Sequence, residues 1–207
     1  MGSWYLVRHG ETLWNRIGRV QGHIDVVLSE RGKRQAEMLG KRLAERRFAA
    51  VYASDLSRTM ETARGIVADD QVAIEADSDL REFSFGEWEG LTLEEAEARN
   101  PKVYAERMRM RNHAFAAPGG ENTTQLLKRV RPFCSSAVRR HSAADDVLVV
   151  AHGGTIRALL ICLLDLEDEG FWRLRVDCGS LSIVSNHPGG RVLDVWNDTS
   201  HLDAEVL

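Results

Sequence analysis

Short apolar runs alternate along the chain with longer stretches in which apolar residues recur every three or four positions. Trp4 to Val7, Phe48 to Ala53, Val72 to Ala76 and Asp146 to Ala151 read as strands, and the last has the unbroken apolar character of a strand buried on both faces. The spacing of Ala36, Leu39, Gly40 and Leu43 predicts an amphipathic helix over 30–46, capped by Ser29, with Lys33, Arg34, Lys41 and Arg42 turned outward. A second helix is expected through Thr59, Thr62, Ala63, Ile66 and Val67, with Ser57 as its cap. Residues 92–113 are helical in pattern but highly charged, and Pro101 divides them in two. Thr123 is the expected cap of a helix to about Arg140, and a further helix covers Thr155 to Leu164. Leu181 to Ser185 and Arg191 to Trp196 flank His187-Pro188-Gly189-Gly190 as a hairpin. Strands alternating with helices predict an α/β fold, a three-layer α/β/α sandwich on a mostly parallel sheet. Residues 1–207 read as one domain, with 91–140 as a small helical cap inserted in it.

In such a sheet the ends of the strands are where ligands sit. Arg8-His9 follows the first strand directly, before Gly10. A guanidinium and an imidazole in a partly buried cleft call for an anion, because an unpaired buried charge is costly. The loop from Glu11 to Val27, with Asn15, Arg16, Gly18, Gln21, Gly22 and His23, has the polar and glycine content of a ligand-lining segment. Arg58 falls in the first turn of a helix, where a cation is disfavoured unless it shares an anion with the backbone N–H groups. His152 ends the clearest strand, and Glu82 lies in the turn-rich loop 80–90. Two arginines can neutralise and orient a phosphoryl group, a histidine pair can supply a nucleophile and a donor, and a carboxyl raised by burial can protonate a leaving oxygen.

Composition narrows the field further. The net charge of -4 argues against general nucleic-acid binding, and no apolar run approaches the roughly 18 residues that would span a bilayer. Three widely spaced cysteines, Cys134, Cys162 and Cys178, disfavour a disulfide framework or a clustered zinc site. The chain enters strand-like sequence without a basic segment and apolar signal core, so a cytoplasmic protein is expected. His23, His113, His141 and His187 read as surface residues, and Glu87 and Glu89 as solvated or structural. Either the edge hairpin or the cap could support a homodimer.

Leu6 to Thr12, Ser54 to Arg58, Arg81-Glu82 with Phe85-Gly86-Glu87-Trp88-Glu89-Gly90, and Ala151 to Gly154 together resemble the histidine phosphatase superfamily, in its phosphoglycerate-mutase-like branch. The resemblance covers nearly the whole chain. It implies that His9 attacks phosphorus to form a phosphohistidine, that Arg8, Arg58 and His152 enclose the phosphoryl oxygens, and that Asn15 adds a hydrogen bond. Glu82 would serve as general acid for the departing alcohol and then as general base for water. The scheme needs no metal and no cofactor, and its substrate is a small phosphorylated metabolite. Gln21 and Gly22 are expected near that substrate, and His201 within reach of a substrate carboxylate. Hydrolysis leads over phosphoglycerate mutation, because the cap lacks the longer insertion of the cofactor-dependent mutases. The loop at 81–90 is similar to those of α-ribazole and broad-specificity phosphatases. The ending from Asn197 to Leu202 is similar to the tails of several small-molecule phosphatases, phosphoserine phosphatases among the candidates, although Phe85 stands where those would carry histidine. A non-catalytic phospho-ligand or protein-binding module is the reading from another class.

Overall fold

A computed structural model describes residues 1–67, 72–109 and 114–202. In chain order the elements are β1 (Ser3–Arg8), α1 (Leu13–Arg16), α2 (Glu30–Leu43), β2 (Ala50–Ala53), α3 (Ser57–Ile66), β3 (Ile74–Ala76), α4 (Leu93–Arg99), α5 (Pro101–Arg109), α6 (Thr123–Arg140), β4 (Val147–Ala151), α7 (Gly153–Leu164), β5 (Leu181–His187) and β6 (Gly190–Asp198). Six strands form a sheet in the order β3-β2-β4-β1-β5-β6. The first four are parallel, and the β5–β6 hairpin joins antiparallel along β1.

Period-two alternation divides the sheet's side chains between two layers. Trp4, Leu6, Tyr52, Val147, Val149 and Ala151 belong to one core with Leu126, Val130 and Phe133 of α6 and Ile156, Leu159 and Leu160 of α7. Tyr5, Val7, Val51, Ala53, Leu148 and Val150 meet Leu39 and Leu43 of α2 and Ala63 and Ile66 of α3 on the other face. The three-layer sandwich follows.

Two expected helix caps differ. Ser57 is the first residue of α3, and its N–H and hydroxyl both donate to Asp25, a carboxylate brought from a distant loop. Asn122 caps α6 in a reciprocal box with Gln125, so Thr123 lies inside the helix. The expected cap over 91–140 is also narrower. Its last part, α6, carries a strong apolar stripe and packs on the sheet as a core layer. What stands apart is a small cluster of Trp88, Ala96 and Ala117 with Leu91, Val103 and Tyr104, built from residues 88–91, α4, α5 and the loop before α6. Arg111 and His113 lie outside the described residues.

Candidate functional site

Register places the first two site residues. Arg8 pairs with Ala151 across the β1–β4 ladder, and the His9 N–H continues it to the Ala151 carbonyl, 3.0 Å away. The next residue on each strand is a histidine. The rings of His9 and His152 therefore lie edge to face with centroids 5.1 Å apart, and both are buried. Gly10 lets the chain leave β1 against α2, since a Cβ there would fall 2.4 Å from the Gly32 carbonyl oxygen.

The hydrogen bonds around each ring set its tautomer. His9 Nδ1 is 2.7 Å from the Gly10 carbonyl oxygen. A carbonyl only accepts, so Nδ1 carries the proton and Nε2 keeps its lone pair. His152 is the reverse case. Its Nδ1 accepts from Nε of Arg58 at 3.3 Å, which puts the proton on Nε2, a buried atom with no partner. Burial, followed by the positive fields of Arg58 and Arg8, holds His9 well below its ordinary value. His152 is lowered in the same way, by burial and then by Arg58 and His9. Both rings are neutral at pH 7.

Arg58 reaches this pair from the first turn of α3 and is almost wholly buried. Its two terminal nitrogens donate to the carbonyls of Gly22 at 2.8 Å and Ile24 at 3.0 Å, so the glycine-rich loop aims it. Burial lowers its pKa to about 10, although Glu82 and Asp25 pull the other way. Arg8 donates through Nη1 to the Val176 carbonyl at 2.6 Å and leaves Nε buried and unpartnered. Among the described residues neither arginine has a carboxylate within ion-pair distance. Two uncompensated guanidiniums and an unused His152 N–H define an anion site.

Glu82 faces them from the turn-rich loop. The Gly154 N–H, at the start of α7, is 3.1 Å from each of its carboxylate oxygens, and the Phe83 N–H donates to Oε1 at 2.9 Å. Asn15 accepts through Oδ1 from the Thr12 N–H at 3.0 Å, so its amide NH₂ is the end left for a ligand. Gln21 lies beside it, with Oε1 3.0 Å from the Thr12 hydroxyl.

Arg8, His9, Asn15, Gln21, Gly22, Arg58, Glu82 and His152 all border one cleft of about 210 Å³, completed by Arg19, Val20, Phe85 and Trp88. Eight of the nine expected site residues thus meet. His201 does not line the cleft. Its Nε2 donates to the Gly179 carbonyl at 3.0 Å, and the Gly179 N–H bonds the carbonyls of Arg8 and His9 from behind the sheet edge. His23 is not a surface residue either. It is half-buried, with Nε2 2.9 Å from the Glu82 carbonyl oxygen. Glu89 is structural, as expected, accepting from the N–H groups of His23, Ile24 and Phe85. Arg19 was legible only as part of a polar loop, and Phe85 and Trp88 as aromatics in another. A larger cavity of about 300 Å³ beside β3 is lined by Glu75, Asp77, Asp79 and Arg140, but Arg140 is already paired with Glu75. It presents carboxylates and no free cation, so it is no place for a phosphate. Among the described residues no three His, Cys, Asp or Glu side chains gather as metal ligands.

A neutral imidazole with a free lone pair beneath two arginines without carboxylate partners, at the open ends of parallel strands, is a site suited to a phosphate-like anion. The sequence model of the histidine phosphatase superfamily, branch 1, matches residues 4–199. Phosphoserine phosphatase 1 of Hydrogenobacter thermophilus is 33% identical over 197 residues, covering 95% of this chain and 92% of that protein. The probable phosphoglycerate mutase GpmB of Yersinia pestis is 35% identical over 210 residues, with 98% and 96% covered. The structure of a putative α-ribazole-5'-P phosphatase from Escherichia coli superposes with a TM-score of 0.87 at 28% identity, with 95% and 96% covered. The chain belongs to the histidine phosphatase superfamily and is a phosphoric monoester hydrolase of that family. No helix among the described residues is long and apolar enough to cross a membrane.

Proposed function

We propose that the protein hydrolyses a small phosphorylated metabolite, without a metal, through a phosphohistidine on His9. The observation that carries this reading is the 2.7 Å bond from His9 Nδ1 to the Gly10 carbonyl, which leaves Nε2 unprotonated under Arg8 and Arg58. Nε2 attacks phosphorus and the P–O ester bond breaks. Arg8, Arg58, the His152 Nε2–H and the Asn15 amide take the charge that collects on the three remaining oxygens. Glu82 gives its proton to the leaving oxygen and, now ionised, accepts one from the water that attacks the phosphohistidine. Inorganic phosphate leaves and His9 returns to its starting tautomer.

Hydrolysis is favoured over transfer to a second alcohol because Glu82 and Asn15 are only partly buried, so water has a path to the intermediate. The cleft suits substrates of the kinds that the relatives' names carry, a phosphorylated amino or hydroxy acid or a riboside phosphate. Three free cysteines fit a reducing compartment, and we place the enzyme in the cytoplasm.

The test is phosphate release, with EDTA present, from phosphoserine, α-ribazole 5'-phosphate and 3-phosphoglycerate, together with trapping of labelled enzyme by quenching into alkaline denaturant, where a phosphohistidine survives. Wild type should release phosphate and carry acid-labile label, and His9→Ala should do neither. Interconversion of phosphoglycerates without phosphate release would establish a mutase. Phosphate binding with no turnover of any ester would establish a binding module.

A further inference from the structure

Glu82 lies outside any helix or strand, between single 3-10 turns at Ser78–Leu80 and Gly86–Trp88, yet a general acid must sit within a fraction of an ångström of its target. Outside the cleft, His23 and Thr155 each hold one carbonyl of this loop, and a third side chain holds several groups at once. Arg129, on α6, uses all five of its N–H donors on that loop and its tether. Nη1 donates to the carbonyls of Asp79 and Arg81 at 2.7 and 2.8 Å, and Nη2 to the carbonyl of Glu82 itself at 2.7 Å. The remaining donors hold both carboxylate oxygens of Glu121, at 3.0 and 2.9 Å. Glu121 closes the ring, because its Oε2 accepts from the Ser84 N–H and its own N–H donates to the Ser84 carbonyl. Main-chain groups on both sides of Glu82 are therefore pinned to one half-buried ion pair. Burial pushes the Glu121 carboxyl up, and the bonds from Arg129 and Ser84 outweigh it, so the group stays ionised.

We propose that Arg129, fixed by Glu121, is the positioning residue that aims the Glu82 carboxyl at the leaving-group oxygen. The inference rests on the reading of Glu82 as general acid and adds the device that makes it effective. Neither residue lines the cleft, so neither touches the phosphoryl group. Their loss should mimic loss of the acid, selectively for esters that need one. The selectivity belongs in kcat/KM, which reports cleavage of the ester. Turnover also includes hydrolysis of the phosphohistidine, a step common to every substrate.

The experiment compares phosphoserine, an alkyl ester with a basic leaving group, with p-nitrophenyl phosphate, whose leaving group departs without a proton. Four variants are tested beside wild type: Glu82→Gln, Arg129→Met, Arg129→Lys and Glu121→Gln. Arg129→Met should lower kcat/KM for phosphoserine by about 10²-fold, as a misplaced catalytic group does, and for the aryl ester by less than about threefold. Arg129→Lys, which keeps the charge but not the five-donor fork, should fall between and remains informative if the methionine variant does not fold. Glu121→Gln should follow in the same direction. Equal losses on both esters, or none, in Arg129→Lys and Arg129→Met would overturn the positioning role while Glu82→Gln stays selective. If Glu82→Gln itself loses equally on both, the general-acid reading falls and this proposal falls with it.

Discussion

Arg58 and His152 act as one unit: the Nε–H of the arginine donates to Nδ1 of the histidine at 3.3 Å and thereby decides that His152 offers a proton, not a lone pair, to the cleft. The arginine's other two nitrogens are committed to the Gly22 and Ile24 carbonyls, so its position follows from the loop before α2. Arg58→Lys should keep the charge and lose the tautomer control. We expect kcat/KM to drop by about 10² to 10³, the range seen when a preorganised donor to a developing charge is lost. Inhibition by inorganic phosphate should weaken in parallel while the far-ultraviolet circular dichroism is unchanged. Retention of phosphate affinity would show that His152 does not need this partner.

Gly154 is required for contact, not for backbone freedom. A Cβ on it would lie 2.3 Å from Oε1 of Glu82 and 2.6 Å from the ring of Phe83. Alanine is the better helix former by about 1 kcal/mol, yet Gly154→Ala should lower kcat/KM for an alkyl ester at least tenfold. The carboxylate must move away from the amide that holds it and from the cleft. Activity within twofold of wild type would mean that Glu82 has a second productive position.

Much of this was legible in the sequence, for identifiable reasons. Parallel strands buried on both faces leave unbroken apolar runs, so β1 and β4 stand out, and the polar residues at their ends mark the site. Ser29 was readable as a cap because Gly32 lies close by in sequence, within reach of its hydroxyl. Ser57 was misread because its partner, Asp25, is 32 residues away. Arg129 and Glu121 carry no local signature at all. Their role exists only once α6 lies against the loop at 79–84, and the same docking is what narrows the cap. His23 escaped in the same way, since its bond to the Glu82 carbonyl spans 59 residues.

His201 gives a test of placement. The family resemblance suggested a substrate-carboxylate contact, whereas its imidazole is turned to the Gly179 carbonyl behind the cleft. His201→Ala should therefore leave KM for a carboxylate-bearing ester such as phosphoserine within about twofold, and any loss should fall on thermal stability, by about 1 kcal/mol for one hydrogen bond. A large rise in KM confined to carboxylate-bearing substrates would restore the contact.

The neutral histidines should make the protein sensitive to mild acid. Burial first, and the arginines next, depress the pKa values of His9 and His152 well below the ordinary value of 6.5 that both regain on unfolding. Above that value neither state binds a proton at these rings, and their stabilisation is fully present. As pH falls through it, the unfolded chain takes up protons that the native site refuses, so native stability declines until the depressed native values are reached. Each histidine sets a limiting slope of about 1.4 kcal/mol per pH unit. Urea midpoints measured at pH 7.5, 6.5 and 5.5 should fall steeply over the lower interval and little over the upper one. His9→Gln, which removes one of the two groups, should flatten the lower interval by roughly half of the pair's contribution. An unaltered slope would mean that His9 binds protons alike in the native and unfolded states, so that neither burial nor the arginines depress its pKa.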